Sequence, residues 1–342
     1  MNPDIAIRLE RPGTLAQCND PLPELKEGEA RVRVRQIGVC GTDIHAFHGR
    51  QPFFDYPRIL GHELAVEIES LNGESVLAPG DVVAVEPYLN DPTSPASRRG
   101  QSNCCEKLEV LGVHCDGGMR PHLNVPIRKL LRGEGLAPEQ LALVEMLGIG
   151  FHAVERARVS IGDKALVIGA GPIGLSVLTF LQNKTEAITV VDLSESRLDF
   201  AKEAFRPSAT VLLQEGLEAE PAIRDSFGGG FPDVIFDATG NAGSMMANFD
   251  RIAHGGRIVF VGLFQGEVRF DDPNFHRREI SLLASRNATS PELQEVIGSI
   301  VRGDVDTSPW ITHRMELSEV PAQFAATIAD QGLRKAIISC DS

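Results

Sequence analysis

Cys40, His62, Glu63 and Glu145 are the side chains with the chemistry of a metal centre. A thiolate, an imidazole and carboxylates suit zinc, and a catalytic zinc keeps one position for water or substrate. Gly169-Ala170-Gly171-Pro172-Ile173-Gly174 has the glycine spacing of a dinucleotide pyrophosphate loop. A Lewis-acid metal and a nicotinamide in one chain point to hydride transfer at an alcohol carbon. Each metal candidate has an ordinary alternative when taken singly. Cys40 could be a buried small hydrophobe, His62 a structural histidine, and Glu63 and Glu145 salt-bridged acids. Their separations are too large for local geometry to join them.

The glycine loop has its expected context. Ala165-Leu166-Val167-Ile168 reads as a strand, and Pro172 opens a helix. Gly169 permits the tight turn, Gly171 lets the backbone approach a pyrophosphate, and Gly174 lets the helix pack on the strand. Pro172 and Ile173 belong to the helix N-terminus that supplies phosphate donors. Asp192 ends the next strand, where it accepts hydrogen bonds from the adenosine ribose. It repels a 2′-phosphate, so NAD is expected rather than NADP. Arg197, just beyond, joins the cofactor-binding set. The alternative is a glycine turn with no ligand.

These residues need two kinds of scaffold. Arg31-Val32-Arg33-Val34-Arg35 alternates with period two, as a half-buried antiparallel strand does. Further strands are expected near 62–70, 80–86 and 122–126, with a long Pro- and Ser-rich loop over 87–103. From about 150, apolar strands alternate with helices near 172–183, 194–205 and 242–253. That alternation predicts right-handed βαβ units and a doubly wound parallel sheet, an α/β fold. A helix near 290–302 precedes a tail that could close this sheet or return to the first region.

Composition narrows the function. The chain has 342 residues, with 42% hydrophobic and 23% charged, ordinary for a soluble protein of two domains. A formal net charge of −14 argues against nucleic acid or a membrane surface as partner. No apolar run reaches the ~18 residues that span a bilayer, and the N-terminal residues lack a signal-peptide pattern. Six cysteines, at 18, 40, 104, 105, 115 and 340, are too few and irregular for a disulfide scaffold. A reducing cytoplasm is the natural compartment.

Over essentially its full length the chain resembles the zinc-dependent medium-chain alcohol and polyol dehydrogenases. The carrying segments are Gly38-Val39-Cys40-Gly41-Thr42-Asp43-Ile44-His45, Gly61-His62-Glu63, Asp81–Val85, Glu145 before Gly148-Ile149-Gly150, and Gly169–Gly174. More narrowly it resembles the L-galactonate and L-gulonate 5-dehydrogenase branch at Gln51–Arg58, Leu111–Gly118 and Ser285–Thr289. The resemblance implies a GroES-like β-rich catalytic domain over 1–149 and 286–342, and a Rossmann NAD-binding domain over 150–285. It makes Cys40 and His62 zinc ligands. Glu63 is then a direct or exchanging ligand, and Glu145 ligates or holds the zinc-bound water. Asp237-Ala238-Thr239-Gly240 and Val261-Gly262-Leu263 match the segments that line the nicotinamide ribose and carboxamide, with Thr239, Val261 and Leu263 as the cofactor-binding residues. A homo-oligomer, dimer or tetramer, is expected.

The chain departs from the family in three places. Many members carry a second, structural zinc on four cysteines, where this chain has Asp91, Ser94, Ser97 and Cys105. A closed zinc site needs four N or S ligands, so one catalytic zinc is expected and the structural site is lost. Arg120-Pro121-His122 replaces an acid and an aromatic. Arg120 is a second candidate for a substrate carboxylate, but exposed arginine is the usual case and solvent is its expected place. Met146 stands where members often have proline.

The implied reaction oxidises a secondary alcohol of a polyol or sugar acid, with Thr42 accepting the proton and His45 passing it on. The likeness points to L-galactonate or L-gulonate, oxidised at C5. Phe47, Phe53 and Phe54 are candidate cleft walls. Arg286, with Asn287 beside it, is the first candidate cation for an acid substrate. The alternatives are a neutral polyol dehydrogenase of sorbitol, galactitol or threonine type, a zinc-free reductase of the same superfamily, and a non-catalytic NAD-binding protein.

Overall fold

The computed structural model describes residues 5–52, 54–214 and 219–340. The chain divides into two compact units, Met1–Met146 with Ala288–Ser342, and Leu147–Asn287.

The first unit is built on a seven-stranded sheet. Glu29–Gly38 pairs antiparallel with Glu63–Asn72, His122–Pro126 and Lys335–Ser339. Val32, Val34 and Ile37 along it are fully buried, and each such burial stabilises by about 1.5–3 kcal/mol. A one-residue slip would turn that apolar set outward, so the register is strongly held. The strand therefore delivers Val39 and Cys40 to a fixed place. A second, three-stranded sheet joins Ile5–Arg11 to Thr14–Asn19 and Arg58–Ile59.

The tail returns to this unit rather than closing the parallel sheet. Lys335–Ser339 aligns Ile337 with Gly38 and Ile338 with Ile37. The helix Ser290–Arg302 begins with Thr289, whose N–H and hydroxyl both donate to Glu292 at 2.8 Å. Ser290 donates to the buried Glu86, which pairs with Lys129 at 2.6 Å.

The second unit holds a six-stranded, all-parallel sheet. Its order runs Ala209–Leu212, Ile188–Asp192, Ala165–Ile168, Val234–Asp237, Arg257–Phe260, Ser281–Ala284. The order reverses between Ala165–Ile168 and Val234–Asp237, the switch point where doubly wound sheets bind ligands at their carboxyl ends. The helices Pro172–Leu181, Glu195–Phe205 and Ala242–Arg251 connect these strands. The central strands Ile188–Asp192, Ala165–Ile168 and Val234–Asp237 are buried on both faces, which is why they read as continuous apolar runs.

Candidate metal centre and cofactor loop

Three elements converge on the metal candidates. Cys40 precedes the helix Gly41–Phe47, and its N–H donates to Asp43 Oδ2 at 2.9 Å. His62 stands just before the strand Glu63–Asn72. Ligand atoms of Cys40, His62 and Glu63 lie within 4.8 Å of one another. Glu145 is outside that trio, in the first turn of the helix Val144–Ala157, where the helix dipole favours a carboxylate. Tyr88 donates its hydroxyl to Glu145 Oε1.

The surroundings orient each side chain. His62 Nδ1 lies 3.7 Å from Asp43 Oδ1, which leaves Nε2 as the ring nitrogen for a metal. A carboxylate behind a ligating histidine is the usual way to fix its orientation. Lys335, on the returning strand, pairs with Glu63 Oε2 and donates to the Val39 carbonyl at 3.1 Å. One ammonium thus ties the turn before Cys40 to Glu63.

Protonation behaviour points the same way. Burial lowers the His62 pKa, but Asp43, Cys40 and Glu145 outweigh it and carry it well above 6.5. Burial raises Asp43 and Glu145 above the ordinary carboxylate range. His62 is held toward its charged form by the acids and thiolate around it, and Asp43 and Glu145 toward their neutral forms by burial. His62 Nδ1 and Asp43 Oδ1 face each other, whereas Glu63 Oε1 is buried without a hydrogen-bond partner. Unsatisfied buried polar atoms are rare and call for an explanation such as an ion. Sulfur, nitrogen and carboxylate donors at this spacing fit zinc.

Thr42 is half-buried and His45 exposed, three residues apart on the helix, a spacing that places them on one side. Partial burial, then Arg50 and His48, lower the His45 pKa.

In the second unit the glycines do what their positions require. Gly169 has φ +97°. A Cβ on Gly174 would lie 1.7 Å from the Gly169 carbonyl oxygen. Gly171 caps the helix, with Pro172 and Ile173 in its first turn. Asp192 already binds the backbone, accepting from Ala170 N at 2.6 Å and Ser194 N at 2.8 Å. A carboxylate has about four lone-pair sites, so it retains capacity for ribose hydroxyls. Arg197 Nη1 lies 4.0 Å from Asp192.

Asp237 opens the segment Asp237-Ala238-Thr239-Gly240 that the resemblance places at the nicotinamide, but the sequence assigned the acid itself no role. It is fully buried and accepts from Thr239 N and Oγ1 at 3.0 and 2.6 Å, Ser244 Oγ at 2.6 Å and Asn248 Nδ2 at 2.8 Å. Its carbonyl accepts from Val261 N and Gly262 N, both at 2.9 Å. Gly240, at φ +59°, packs on the Leu263 carbonyl. Thr239, Val261 and Leu263 are thereby gathered at the carboxyl ends of adjacent strands. The signal was an acid directly before Ala238-Thr239-Gly240.

The substrate candidates fare unevenly. Phe54 is buried edge-on against Tyr56 at 4.8 Å, and Phe47 is buried against Phe324 at 5.3 Å. Both are packing residues here, and Phe53 lies outside the described residues. Arg286 is exposed and Asn287, at φ +56°, makes the turn after the strand Ser281–Ala284. Both belong to the second unit. Arg120 is not at solvent. It is 4% exposed, and its guanidinium is taken by Asp20, Nη1 on the carboxylate at 2.6 Å and Nη2 on the carbonyl at 2.5 Å. The solvent expectation overlooked this partner a hundred residues away.

One segment of the narrower likeness, Leu111–Gly118, packs against Gly61 beside His62. A Cβ on Gly117 would lie 2.3 Å from the Gly61 carbonyl oxygen, and one on Gly112 2.8 Å from Gly61 N. Asp116 accepts from Ile59 N at 3.0 Å and Arg58 Nη1 at 3.4 Å. In the 87–105 lobe, Asp91 N donates to Cys105 Sγ at 3.3 Å, and Ser97 Oγ accepts from Asn90 Nδ2 and Ser94 Oγ, both at 2.9 Å.

Comparison with known proteins agrees with this architecture. Residues 26–135 match the alcohol dehydrogenase GroES-like domain and residues 172–302 the zinc-binding dehydrogenase domain. The chain belongs to the zinc-type medium-chain alcohol dehydrogenase family, and is an oxidoreductase of the alcohol and polyol dehydrogenase kind. It is 38% identical to the L-galactonate-5-dehydrogenase of Escherichia coli K12, over 96% of this chain and 97% of that one. It is 31% identical to the D-altritol 5-dehydrogenase of Agrobacterium fabrum, over 96% and 98%. A crystal structure from E. coli CFT073, described as a short chain alcohol dehydrogenase complexed with NADH, superposes with TM-score 0.90. That match has 26% identity and covers 98% of this chain and 99% of the other. No helix among the described residues is long and apolar enough to cross a membrane.

Proposed function

We propose that this enzyme uses NAD to oxidise a secondary alcohol of a polyol or sugar acid at a single zinc. The substrate we assign is a hexonate, L-galactonate or L-gulonate, oxidised at C5. The observation that carries the metal reading is the convergence of Cys40, His62 and Glu63, with Glu63 Oε1 buried and unpartnered. The 38% identity to an L-galactonate-5-dehydrogenase supports the substrate.

Cys40 and His62 would hold the metal with Glu63, and Glu145 stands beside them. Zinc, when bound, supplies a Lewis acid that lowers the pKa of a hydroxyl toward neutrality. Thr42 accepts the hydroxyl proton and His45 passes it toward solvent; neutral at pH 7, His45 is able to take it. Asp43 and Lys335 fix His62 and Glu63. Gly169, Gly171 and Gly174 seat the pyrophosphate, and Asp192 takes the adenosine ribose. A 2′-phosphate charge ~4 Å from Asp192 costs about 4 kcal/mol at an effective dielectric of ~20, which favours NAD over NADP. Thr239, Val261 and Leu263 receive the nicotinamide end.

The second reading is a neutral polyol substrate, favoured by the 31% identity to a D-altritol 5-dehydrogenase. NADH formation with a panel of hexonates and neutral polyols separates the two. Higher kcat/KM for L-galactonate or L-gulonate supports the first. Faster turnover of sorbitol, galactitol or D-altritol than of any hexonate rejects it.

A further inference from the structure

Tyr88 is among the largest fully buried side chains. Phenylalanine would fill the same volume, so the hydroxyl has its own reason, and it donates to Glu145 Oε1. We propose that Tyr88 is a positioning residue of the metal centre: by engaging Oε1 it holds Glu145 outside the Cys40, His62 and Glu63 trio. Glu145 is thereby kept for a hydroxyl group of the substrate or for water. The inference rests on the zinc reading above and deepens it.

Two observations carry it. Glu145 is buried and near enough for its charge to act on His62, yet among the described residues only Cys40, His62 and Glu63 form the compact trio. A buried carboxylate beside a dication is drawn toward it unless something else holds it. The phenol is what holds it, because its backbone is fixed on several sides. Tyr88 pairs with Val110, Leu111 N donates to the Pro87 carbonyl at 3.1 Å, and Arg128 grips Asn90 through its side chain at 2.8 Å and its carbonyl at 2.7 Å. The chain that follows Val110 packs on Gly61 beside His62. One frame therefore sets both the imidazole and the phenol.

The test loads the full-length protein with cobalt(II) in place of zinc and compares wild type with Tyr88→Phe. The readouts are the d–d absorption, metal loss to a chelator, and NADH formation. In Tyr88→Phe, Glu145 is expected to enter the coordination sphere. The d–d intensity then changes, metal loss slows, and kcat falls about 10- to 150-fold, the worth of a hydrogen bond to a charged group, with a smaller change in KM. Adding Glu145→Gln to Tyr88→Phe should abolish the spectral difference. An unchanged cobalt spectrum and unchanged metal loss in Tyr88→Phe overturn the proposal, whatever happens to activity. A spectral change that survives Glu145→Gln overturns it too. A wild-type protein with no thiolate-to-cobalt band refutes the metal reading itself, and this proposal with it.

Discussion

Gly38 and Glu63 are register partners across an antiparallel strand pair, and the bare Cα of Gly38 gives the Glu63 carboxylate its place. A Cβ at Gly38 would lie 2.0 Å from Glu63 Oε2 and 2.9 Å from Glu63 Cβ. Gly38 ends the strand Glu29–Gly38 without a positive φ, so space rather than backbone conformation requires the glycine. Gly38→Ala is expected to displace Glu63 and strain its pairing with Lys335. Overpacking of this kind costs about 1–3 kcal/mol, and zinc content should fall with the melting temperature. Full zinc content at an unchanged Tm would remove the role given to Gly38.

Lys335 is the second half of that arrangement. Lys335→Met keeps much of the length but leaves Glu63 buried without its cation. Losing one partner of a buried ion pair costs about 3–5 kcal/mol. The measurement is thermal unfolding with zinc titration, and a loss below 1 kcal/mol on that scale would show that Glu63 does not depend on Lys335.

The pH dependence follows from His45. Its pKa is lowered by burial, then by Arg50 and His48, so it is neutral above about pH 6.5. As a proton acceptor it serves above that lowered value and fails as pH falls through it. The wild-type rate should therefore have an acid limb below pH 6.5 that moves to higher pH in His45→Gln. The two rates should converge toward alkaline pH, where hydroxide accepts the proton. Superimposable profiles would take His45 out of the relay.

Asp237 offers a test on the cofactor side. Asp237→Asn turns an acceptor of four donors into a group that carries its own N–H donors. A buried hydrogen bond lost costs about 1–3 kcal/mol, so NADH affinity should fall at least several-fold in a fluorescence titration. Unchanged affinity would mean that the Thr239–Gly240 turn holds its shape without the carboxylate.

Arg286→Ala bears on the substrate. A charged hydrogen bond is worth roughly 1.5–3 kcal/mol, or about 10- to 150-fold. KM for a hexonate should rise by that factor, while KM for a neutral polyol of similar length stays nearly constant. Equal changes for both would assign Arg286 to something other than the substrate carboxylate.

Much of the framework was legible because it is written in local patterns. Alternation in Arg31–Arg35 gave the central strand, and glycine spacing at 169–174 gave the loop and its helix. Cys40, His62 and Glu63 were joined by resemblance, since no local rule connects them. Their supports were illegible for the same physical reason. Lys335 reaches Glu63 from the far end of the chain, and Tyr88 reaches Glu145 from the root of the lobe. Arg120 was misjudged because the usual exposure of arginine says nothing about a distant Asp20. Long-range pairs of this kind leave no periodicity in the sequence.

Elemental analysis paired with NADH formation tests the proposed single catalytic zinc at Cys40, His62 and Glu63 most directly. The expected result is one zinc per chain in the active protein, with zinc and alcohol oxidation lost together in Cys40→Ser. Full activity in metal-free protein, or two tightly bound zincs per chain, would contradict it.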